Sequence, residues 1–575
     1  MADHDVDRVG GPAPHELDLR RVTSRRDLLK GAAALGLVTA GLPSLRRVGA
    51  FPAQPRHDTG TGGGPGLWNG QPVTEPIGLS FEGTPKRGGH ITWAWIYEPV
   101  PQMDPQLPTT GDTGDLQALY SLYDRLTNII PGTLTNGPGL AESWEIAKGG
   151  LEYTFYLRHA EFSNGDTITA NDVKFSLERF ANPAINSQYA WLNAIDTVQA
   201  LNARTVRVTL QYVQAMFLDV VGHATTGIVP QRVVEKMGKE FGKNPVGSGA
   251  FIFESKTAGE SISFKRNPNF WNSPKPYIDG YTLNYVPDDN ARMLQVTSGI
   301  ASAGYPVPYA LLDQYRDVKG TRLQLEPYTN IMFIAPNLKV PPFNEQNVRL
   351  ALNYATPLET INKVVFKNAA QIANSAIGKL QYWDPEIPYI PYDLDKAKAY
   401  LAKSSVPHGF TTSLLIVGTD TDSVELATIL QSSWGQIGIN LKIDEVDIVT
   451  LEDRFFSITN PNYDLCFFGA DLWASDVGAP DEIGELMYYS KKYDFGGLFY
   501  NDPHATALVN QATHTINETV RKRDWGELQR YCLSVNPPGI PIAFGPNVSL
   551  VNSKVQGFQC LCSNFWPLED VWINS

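Results

Sequence analysis

An aspartate in a short loop offers the clearest chemistry in this chain. The loop reads Trp473-Ala-Ser-Asp476-Val-Gly478-Ala-Pro480, and a strand-like run, 463–469, precedes it. Loops at strand ends often bind ligands. A carboxylate enclosed in a cleft binds a cationic group far more tightly than one in water, and Trp473 would supply a rigid apolar wall. Taken by itself, the pattern favours a plainer role for Asp476, as a helix N-cap or a solvated loop acid.

Residue patterns typical of catalysis are incomplete or absent in this sequence. The run 300–304 lacks the first glycine of a nucleophile elbow, and the glycine-rich run 60–66 lacks the strand and helix that a phosphate-binding loop needs. The nine histidines include no His-Glu-x-x-His pair, and the 54 acidic residues beyond residue 50 are too many for spacing alone to select a catalytic pair. We therefore expect a protein that is not an enzyme and that carries no cofactor and no metal.

The secondary-structure elements of the scaffold that would position such a loop are predicted most clearly between residues 140 and 180. Apolar and polar residues alternate from Leu151 to Arg158, which predicts a strand with one buried face. Asn164-Gly165 predicts a turn with positive φ angles. Thr169 and Asp172 predict a helix N-cap with its capping box, and Val173, Leu177 and Phe180 would share one face of that helix. A strand-turn-helix unit occurs in many folds and by itself says nothing about function.

The particular residues of this unit resemble one family. The runs 153–158, 161–166 and 169–179 are similar to those of the family 5 extracellular solute-binding proteins of ABC importers, which include the periplasmic oligopeptide- and dipeptide-binding proteins. Six further blocks resemble the family in the same order: 103–105, 246–251, 265–271, 341–355, 392–398 and 434–439. Together the blocks cover nearly all of residues 88 to 575. The chain departs from the pattern at Thr356-Pro357, where an Ile-Asp pair is usual.

The resemblance implies an α/β, two-lobed periplasmic-binding-protein fold with an extra subdomain and a ligand cleft between the lobes. One lobe would be discontinuous, and two chain crossings would act as a hinge. Ahead of the lobes, the sequence itself predicts a signal peptide over 1–50 and a flexible Gly/Pro-rich linker over 51–89. The expected parts are lobe I from 90–114, 238–332 and 535–575, an accessory subdomain from 115–237, and lobe II from 333–534.

The same resemblance implies a set of ligand-binding residues. In peptide-binding members the aspartate at the position of Asp476 pairs with the α-amino group of the ligand, so that Asp476, with Trp473 and Gly478, becomes the favoured site. Ala479 stands where an acidic residue is common, which leaves the ligand open. Three further candidates are Tyr97 and Glu98, which an ordinary surface role would explain nearly as well, and Trp383, for which a buried packing role is at least as good.

The N-terminus predicts export. Ser24-Arg25-Arg26 precedes an uncharged run of 15 residues, 31–45, and small residues at 48–50 offer a cleavage site. This resembles a twin-arginine signal. The run is shorter than the ~20 residues of a membrane-spanning helix, and the first cysteine is Cys466, too distant for a lipid anchor. We expect a periplasmic or extracellular protein.

Net charge limits the classes of binding partner, and cysteine content bears on disulfides and metal binding. The formal net charge is -13, a surface that disfavours nucleic acid and anionic lipid. Export would place the four cysteines, Cys466, Cys532, Cys560 and Cys562, in a compartment that permits disulfides. Their spacing favours a disulfide or buried thiols over a metal site, with the pairing left open.

These expectations combine into one hypothesis of function with alternatives. The first is a monomeric protein that closes two lobes around a peptide and delivers it to an ABC permease. On the same fold, an oligosaccharide or a chelated metal would be other solutes. From a different class, the alternative is an exported hydrolase.

Overall fold

The computed structural model describes most of the chain beyond residue 80. The described residues are 81, 83–98, 102–107, 113–130, 133–186, 191–457, 461–467, 469, 475, 477–488, 498–561 and 565–574, together with two-residue strands at 46–47, 67–68 and 71–72. Apart from those short strands and residues 81 and 83–89, the predicted signal peptide and linker lie outside this set. In the described part of the chain, no helix combines the length and apolar character needed to cross a membrane.

The strand-turn-helix unit forms as predicted. The strand Glu152–Leu157 buries alternate residues, and the helix Ala170–Ala181 starts from Thr169, whose backbone N–H donates to the Asp172 carboxylate at 3.0 Å in a complete capping box. The turn differs in one respect from the prediction. Only Gly165 takes a positive φ, of 87°. The amide oxygen of Asn164 instead accepts a hydrogen bond from the backbone N–H of Asp166 at 3.1 Å, so the turn closes without a left-handed conformation at residue 164.

This unit belongs to a five-stranded antiparallel sheet. Its apolar face packs under the helix Ala170–Ala181, and we call the sheet with its flanking helices the accessory subdomain. The strand order is Arg46–Arg47, Ala141–Ala147, Glu152–Leu157, Thr205–Leu210 and Ile195–Asn202.

A seven-stranded mixed sheet forms the first lobe. The strand His90–Trp95 lies near its centre and pairs in parallel with both neighbours, so both of its faces are covered. Its strand order is Phe251–Thr257, Ser261–Arg266, Gly280–Tyr285, His90–Trp95, Ala303–Tyr305, Asn547–Asn552 and Thr321–Glu326.

A six-stranded mixed sheet forms the second lobe. The strand Ile540–Phe544 lies beyond the predicted lobe boundary at about 535, yet it pairs with Met332–Pro336 in this sheet, where all five of its residues are buried. The strand order is Gln371–Ile372, Ile540–Phe544, Met332–Pro336, Leu465–Phe467, Thr411–Val417 and Asn440–Val446. The chain crosses between the two large sheets at 327–331 and at 545–546, because the strands on either side of each segment belong to different sheets.

Helices cover the sheets and supply much of the core. The helix nearest the start of the first lobe ends at Leu122. The α-helices are Thr113–Leu122, Ala170–Ala181, Phe217–Val220, Gln231–Met237, Asp289–Thr297, Leu312–Tyr315, Gln346–Tyr354, Leu358–Val364, Leu394–Leu401, Thr421–Gly435, Ile448–Phe455, Pro480–Tyr488, Pro503–Thr513 and Glu518–Ser534. The 3₁₀ turns are Ala224–Thr226, Gly238–Lys243, Tyr309–Leu311 and Leu568–Asp570. Three two-stranded ribbons complete the fold: Leu67–Trp68 with Gln71–Pro72, Thr127–Ile129 with Asn136–Pro138, and Val555–Gln556 with Trp572–Ile573.

Two sequence blocks have a structural explanation. A Cβ on Gly249 would lie 2.3 Å from the carbonyl oxygen of Ser121, so glycine is needed for a close backbone approach. Thr356 stands where the family usually carries Ile. Its hydroxyl accepts a hydrogen bond from the indole N–H of the buried Trp434 at 3.2 Å and donates to Leu352 O at 2.7 Å. The departure from the family pattern therefore satisfies a buried donor.

Candidate functional site

The described residues of the 473–480 loop, which carries the favoured site, lie between the crossing at 327–331 and the accessory subdomain. Trp473 and Asp476 are outside the described residues, whereas Ser475, Val477, Gly478 and Ala479 are described and buried.

Ser475 is held by three polar groups. Its carbonyl oxygen accepts a hydrogen bond from the Thr329 hydroxyl at 2.9 Å. Its own hydroxyl contacts the Glu482 carboxylate at 2.8 Å and Ala479 O at 3.2 Å. Thr329 lies in the first crossing and is 1% exposed. The loop is thus bonded directly to a segment that joins the two lobes.

Gly478 meets the accessory subdomain. Its φ is +75°, a left-handed conformation that favours glycine, and a Cβ at this position would lie 3.3 Å from Leu134 Cδ2 and 3.8 Å from Leu134 Cβ. Its carbonyl oxygen accepts a hydrogen bond from the backbone N–H of Gln381 at 3.3 Å. Gly478 was predicted as a ligand-binding residue, and its described contacts are with these two protein residues.

The side chain of Gln381 bridges the same interface. Its amide donates to Leu134 O at 2.6 Å and approaches Asp219 Oδ1 at 3.4 Å. Asn136 donates to the same Oδ1 atom at 2.6 Å. Burial and then the nearby Asp481 carboxylate raise the pKa of Asp219 to about 7, although Arg521 and the two amides act in the opposite direction.

A buried ion pair lies behind this interface. Both guanidinium NH groups of Arg521 donate to the two carboxylate oxygens of Asp481, at 2.9 and 2.6 Å, and the two side chains are 4% and 1% exposed. Arg521 also donates to Ala512 O at 2.7 Å and to the Tyr382 hydroxyl at 3.1 Å. Burial alone would lower the pKa of Arg521, but the Asp481 carboxylate raises it above its ordinary value, so the arginine stays charged.

Tyr97 and Glu98 lie just beyond the end of the central strand of the first lobe. The Tyr97 ring is half-buried against Trp95, with ring centroids 5.5 Å apart, whereas Glu98 is exposed. Trp95 in turn packs against Tyr305 and Trp566. Tyr97 therefore stands at the edge of an aromatic cluster.

Trp383 is engaged within the second lobe. Its indole N–H donates to Asn374 Oδ1 at 2.7 Å, and its ring packs edge-on against Phe544 with centroids 6.0 Å apart. The Lys379 ammonium group lies 5.1 Å from the ring centroid. These contacts account for a packing role and leave its role toward a ligand a prediction.

The sequence predicts no metal site and leaves the pairing of the four cysteines open. Among the described residues, no group of three or more His, Cys, Asp and Glu side chains is arranged to hold a metal ion. Cys466 and Cys532 are buried free thiols, Cys560 is buried, and Cys562 lies outside the described residues.

Comparison with known proteins identifies the family. Residues 136–495 match the model for bacterial extracellular solute-binding proteins, family 5 Middle, which is more than half of the chain. The chain belongs to this family. The predicted resemblance is thus confirmed.

Other family 5 relatives are binding proteins. The chain is 26% identical over 440 residues to the glutathione-binding protein GsiB of Escherichia coli, an alignment that covers 75% of this chain and 85% of that protein. It is 26% identical over 469 residues to heme-binding protein A of Haemophilus influenzae, covering 76% and 84%.

The fold of this family 5 protein matches solved structures. The periplasmic binding protein DppA of Helicobacter pylori, in complex with the peptide STSA, superposes with a TM-score of 0.73 at 24% identity, covering 85% of this chain and 99% of that one. This likeness confirms the two-lobed α/β architecture.

Several site residues were not found from the sequence. Thr329 and Gln381 carry no motif, and Asp219 is one of many acidic residues. Asp481 directly follows the 473–480 loop, but nothing in the sequence indicates Arg521 as its partner, 40 residues further along the chain. Only the fold brings these groups to one interface.

Proposed function

We propose that this family 5 protein captures peptides outside the cytoplasm by closing two lobes around them, and that it delivers them to an ABC permease. The proposal rests on the contacts of the 473–480 loop. Ser475 of this loop accepts a hydrogen bond from Thr329 of the first crossing, and Gly478 packs against Leu134 of the accessory subdomain. These contacts support the proposal that this loop senses whether the lobes are together.

Peptide is the favoured solute because of Asp476. Its carboxylate would pair with the α-amino group of the peptide in a site that closure removes from water, where a charge-assisted hydrogen bond is strongest. Trp473 would cover the adjoining part of the ligand. The relative GsiB is named as a binder of glutathione, which is itself a peptide, and DppA was solved with a tetrapeptide.

The chain path supports the proposed hinge closure. The two lobes are joined at 327–331 and 545–546, short segments that lie side by side because Glu326 and Asn547 are paired in one sheet. Rotation about such a pair of segments changes few backbone angles. A solute favours closure only to the extent that it binds the closed state more tightly than the open state.

Export, location and assembly complete the proposal. The twin-arginine segment would direct the chain across the membrane, and the mature protein would act as a monomer in the periplasm or outside the cell. Tyr97 and Glu98 would contribute to the ligand site from the first lobe, and Trp383 from the second.

The solute can be identified from the purified protein. We expect native mass spectrometry, before and after mild unfolding, to release bound peptides. Released heme, a metal chelate or an oligosaccharide would replace peptide as the solute, and a covalent turnover product would favour an exported hydrolase.

The anchor is tested by substitution. Isothermal titration with the released peptide should show that Asp476→Ala weakens binding by about a hundredfold, as expected for the loss of a buried charged partner. Asp453→Ala, an exposed aspartate of the second lobe, is the matched control and should bind as the parent does. Unchanged affinity in Asp476→Ala would contradict the anchor assignment.

A further inference from the structure

Asp219 is a carboxylate whose surroundings are supplied by two parts of the molecule. It lies on the helix Phe217–Val220 of the accessory subdomain, where Asn136 of the same subdomain donates to its Oδ1 atom. Gln381 of the second lobe approaches that same oxygen at 3.4 Å. Because both amides contact Oδ1, a proton can be accommodated on Oδ2 without the loss of either contact.

Three ionisable groups surround this carboxylate. Asp481 and Arg521, from two helices of the second lobe, lie near enough to act on its charge, and its charge in turn acts on Tyr153 of the strand Glu152–Leu157. Burial and then the Asp219 charge raise the pKa of Tyr153, so this tyrosine stays neutral. Since Asp481 already forms two hydrogen bonds with Arg521, that arginine is committed to another carboxylate.

The second lobe therefore makes ionisation of Asp219 less favourable. Burial at the interface with this lobe, and then the like charge of Asp481, raise the pKa of Asp219 to about 7, although Arg521 and the amides of Asn136 and Gln381 act in the opposite direction. If the lobes separate, Gln381, Asp481 and Arg521 move away together, while Asn136 stays. In water the pKa of an aspartate is ~3.9.

We propose that Asp219 is a proton-binding site formed by closure, so that this protein takes up one proton from solvent when its lobes close. The proposal rests on the hinge closure put forward above, but it does not depend on the identity of the solute. The proton adds to Oδ2 of the carboxylate and leaves again when the lobes open.

The direction of the effect follows from the two pKa values. The carboxyl has the higher pKa in the closed state, so its contribution to closure is fully present below the open-state value and is lost as the pH rises through about 7. Above that pH both states are ionised, and closure stops changing with pH. Solute release into a more alkaline surrounding would be favoured.

The test traps the closed state without any solute. Leu134→Cys and Gly478→Cys would bring two Cβ atoms to about 3.8 Å, within the range of a disulfide. Oxidation by diamide would then report how often the lobes meet, even where the open state dominates. The strain of a cysteine at the left-handed φ of Gly478, and the pH dependence of the thiols, are the same in every background and cancel in a ratio.

The decisive comparison is between the cross-linking rates of the parent, Asp219→Asn and Asp196→Asn. In Asp219→Asn, which mimics the protonated acid, the rate of cross-linking relative to the parent should rise by about tenfold between pH 6 and pH 8, the change expected for pKa values of about 7 and ~3.9. Asp196→Asn, an exposed residue of the same subdomain, should follow the parent.

Three results would overturn the proposal. A parent protein that never cross-links would show that the contact between residues 134 and 478 does not form. A ratio for Asp219→Asn that is constant with pH would show that Asp219 takes up no proton. An equal change in Asp196→Asn would show a general effect of charge. None of these results depends on whether the solute is a peptide.

Discussion

The hydroxyl of Thr329 donates a hydrogen bond to the backbone carbonyl of Ser475 at 2.9 Å. Thr329 lies in a crossing between the lobes, and Ser475 precedes the aspartate that we propose as the ligand anchor. A change in the crossing is therefore transmitted to the loop through one bond.

Removal of that bond should weaken solute binding. Thr329→Val keeps the shape of a buried side chain but leaves Ser475 O without this donor, which should cost about 1 kcal/mol of folding stability and loosen the loop. We expect severalfold weaker binding of the co-purifying solute by isothermal titration. Thr428→Val, which removes an exposed bond within a helix, is the control. Equal affinities in the two variants would count against this role of Thr329.

Loss of Arg521 should strongly destabilise the second lobe. Arg521→Met would leave Asp481 buried and unpaired, a change that costs about 3–5 kcal/mol, measured by urea unfolding. Lys243→Ala removes an ion pair whose side chains are 67% and 60% exposed, and it should change stability by no more than about 0.5 kcal/mol. A small effect of Arg521→Met would show that water reaches Asp481.

Glu326 should make stability depend on pH. It lies at the end of a strand that leads into the first crossing, and burial raises its pKa to about 8. Because this value is above that of an unfolded chain, ~4.3, its contribution is fully present below pH 4 and is lost as the pH rises through 8. Glu326→Gln should therefore gain in Tm relative to the parent between pH 5 and pH 8.

The exposed Glu240→Gln is the matched control for this experiment, because its side chain is 60% exposed. It should track the parent at every pH. A constant difference in Tm between Glu326→Gln and the parent would show that Glu326 does not titrate in this range.

Gly249→Ala should prevent normal folding of the first lobe. The added Cβ would lie 2.3 Å from Ser121 O and 2.6 Å from Leu122 C, both backbone atoms that cannot move independently. We expect a loss of soluble protein or a large drop in Tm. Gly435→Ala, at a helix end with nothing within 4 Å of the added Cβ, should be neutral or slightly stabilising. Similar behaviour of the two variants would contradict the steric argument.

Local structure and family were predictable because they depend on nearby residues. The capping box of Thr169 and Asp172 and the buried face of the following helix are set by spacing along the chain, and both are confirmed. The glycines at 247 and 249 permit the close approach of another backbone, which no local pattern encodes.

The interface was not predictable for a related reason. Gln381 donates a hydrogen bond to Leu134, which lies 247 residues earlier in the chain. Asp219 interacts with groups that lie more than 160 residues later. Such pairs exist only once three sheets have packed. The strand Ile540–Phe544 shows the same effect, because its partner Met332–Pro336 is about 200 residues away and decides to which lobe it belongs.

The buried cysteines have a consequence for how the protein is made. Cys466 and Cys532 lie in one apolar core as free thiols, and Cys560 lies in another core. Burial raises the pKa of Cys466 and of Cys532, which keeps these two in the unreactive thiol form. Folding therefore draws on no cross-link between these two residues. This is compatible with folding in a reducing compartment, as the proposed twin-arginine route, which carries folded proteins, would require.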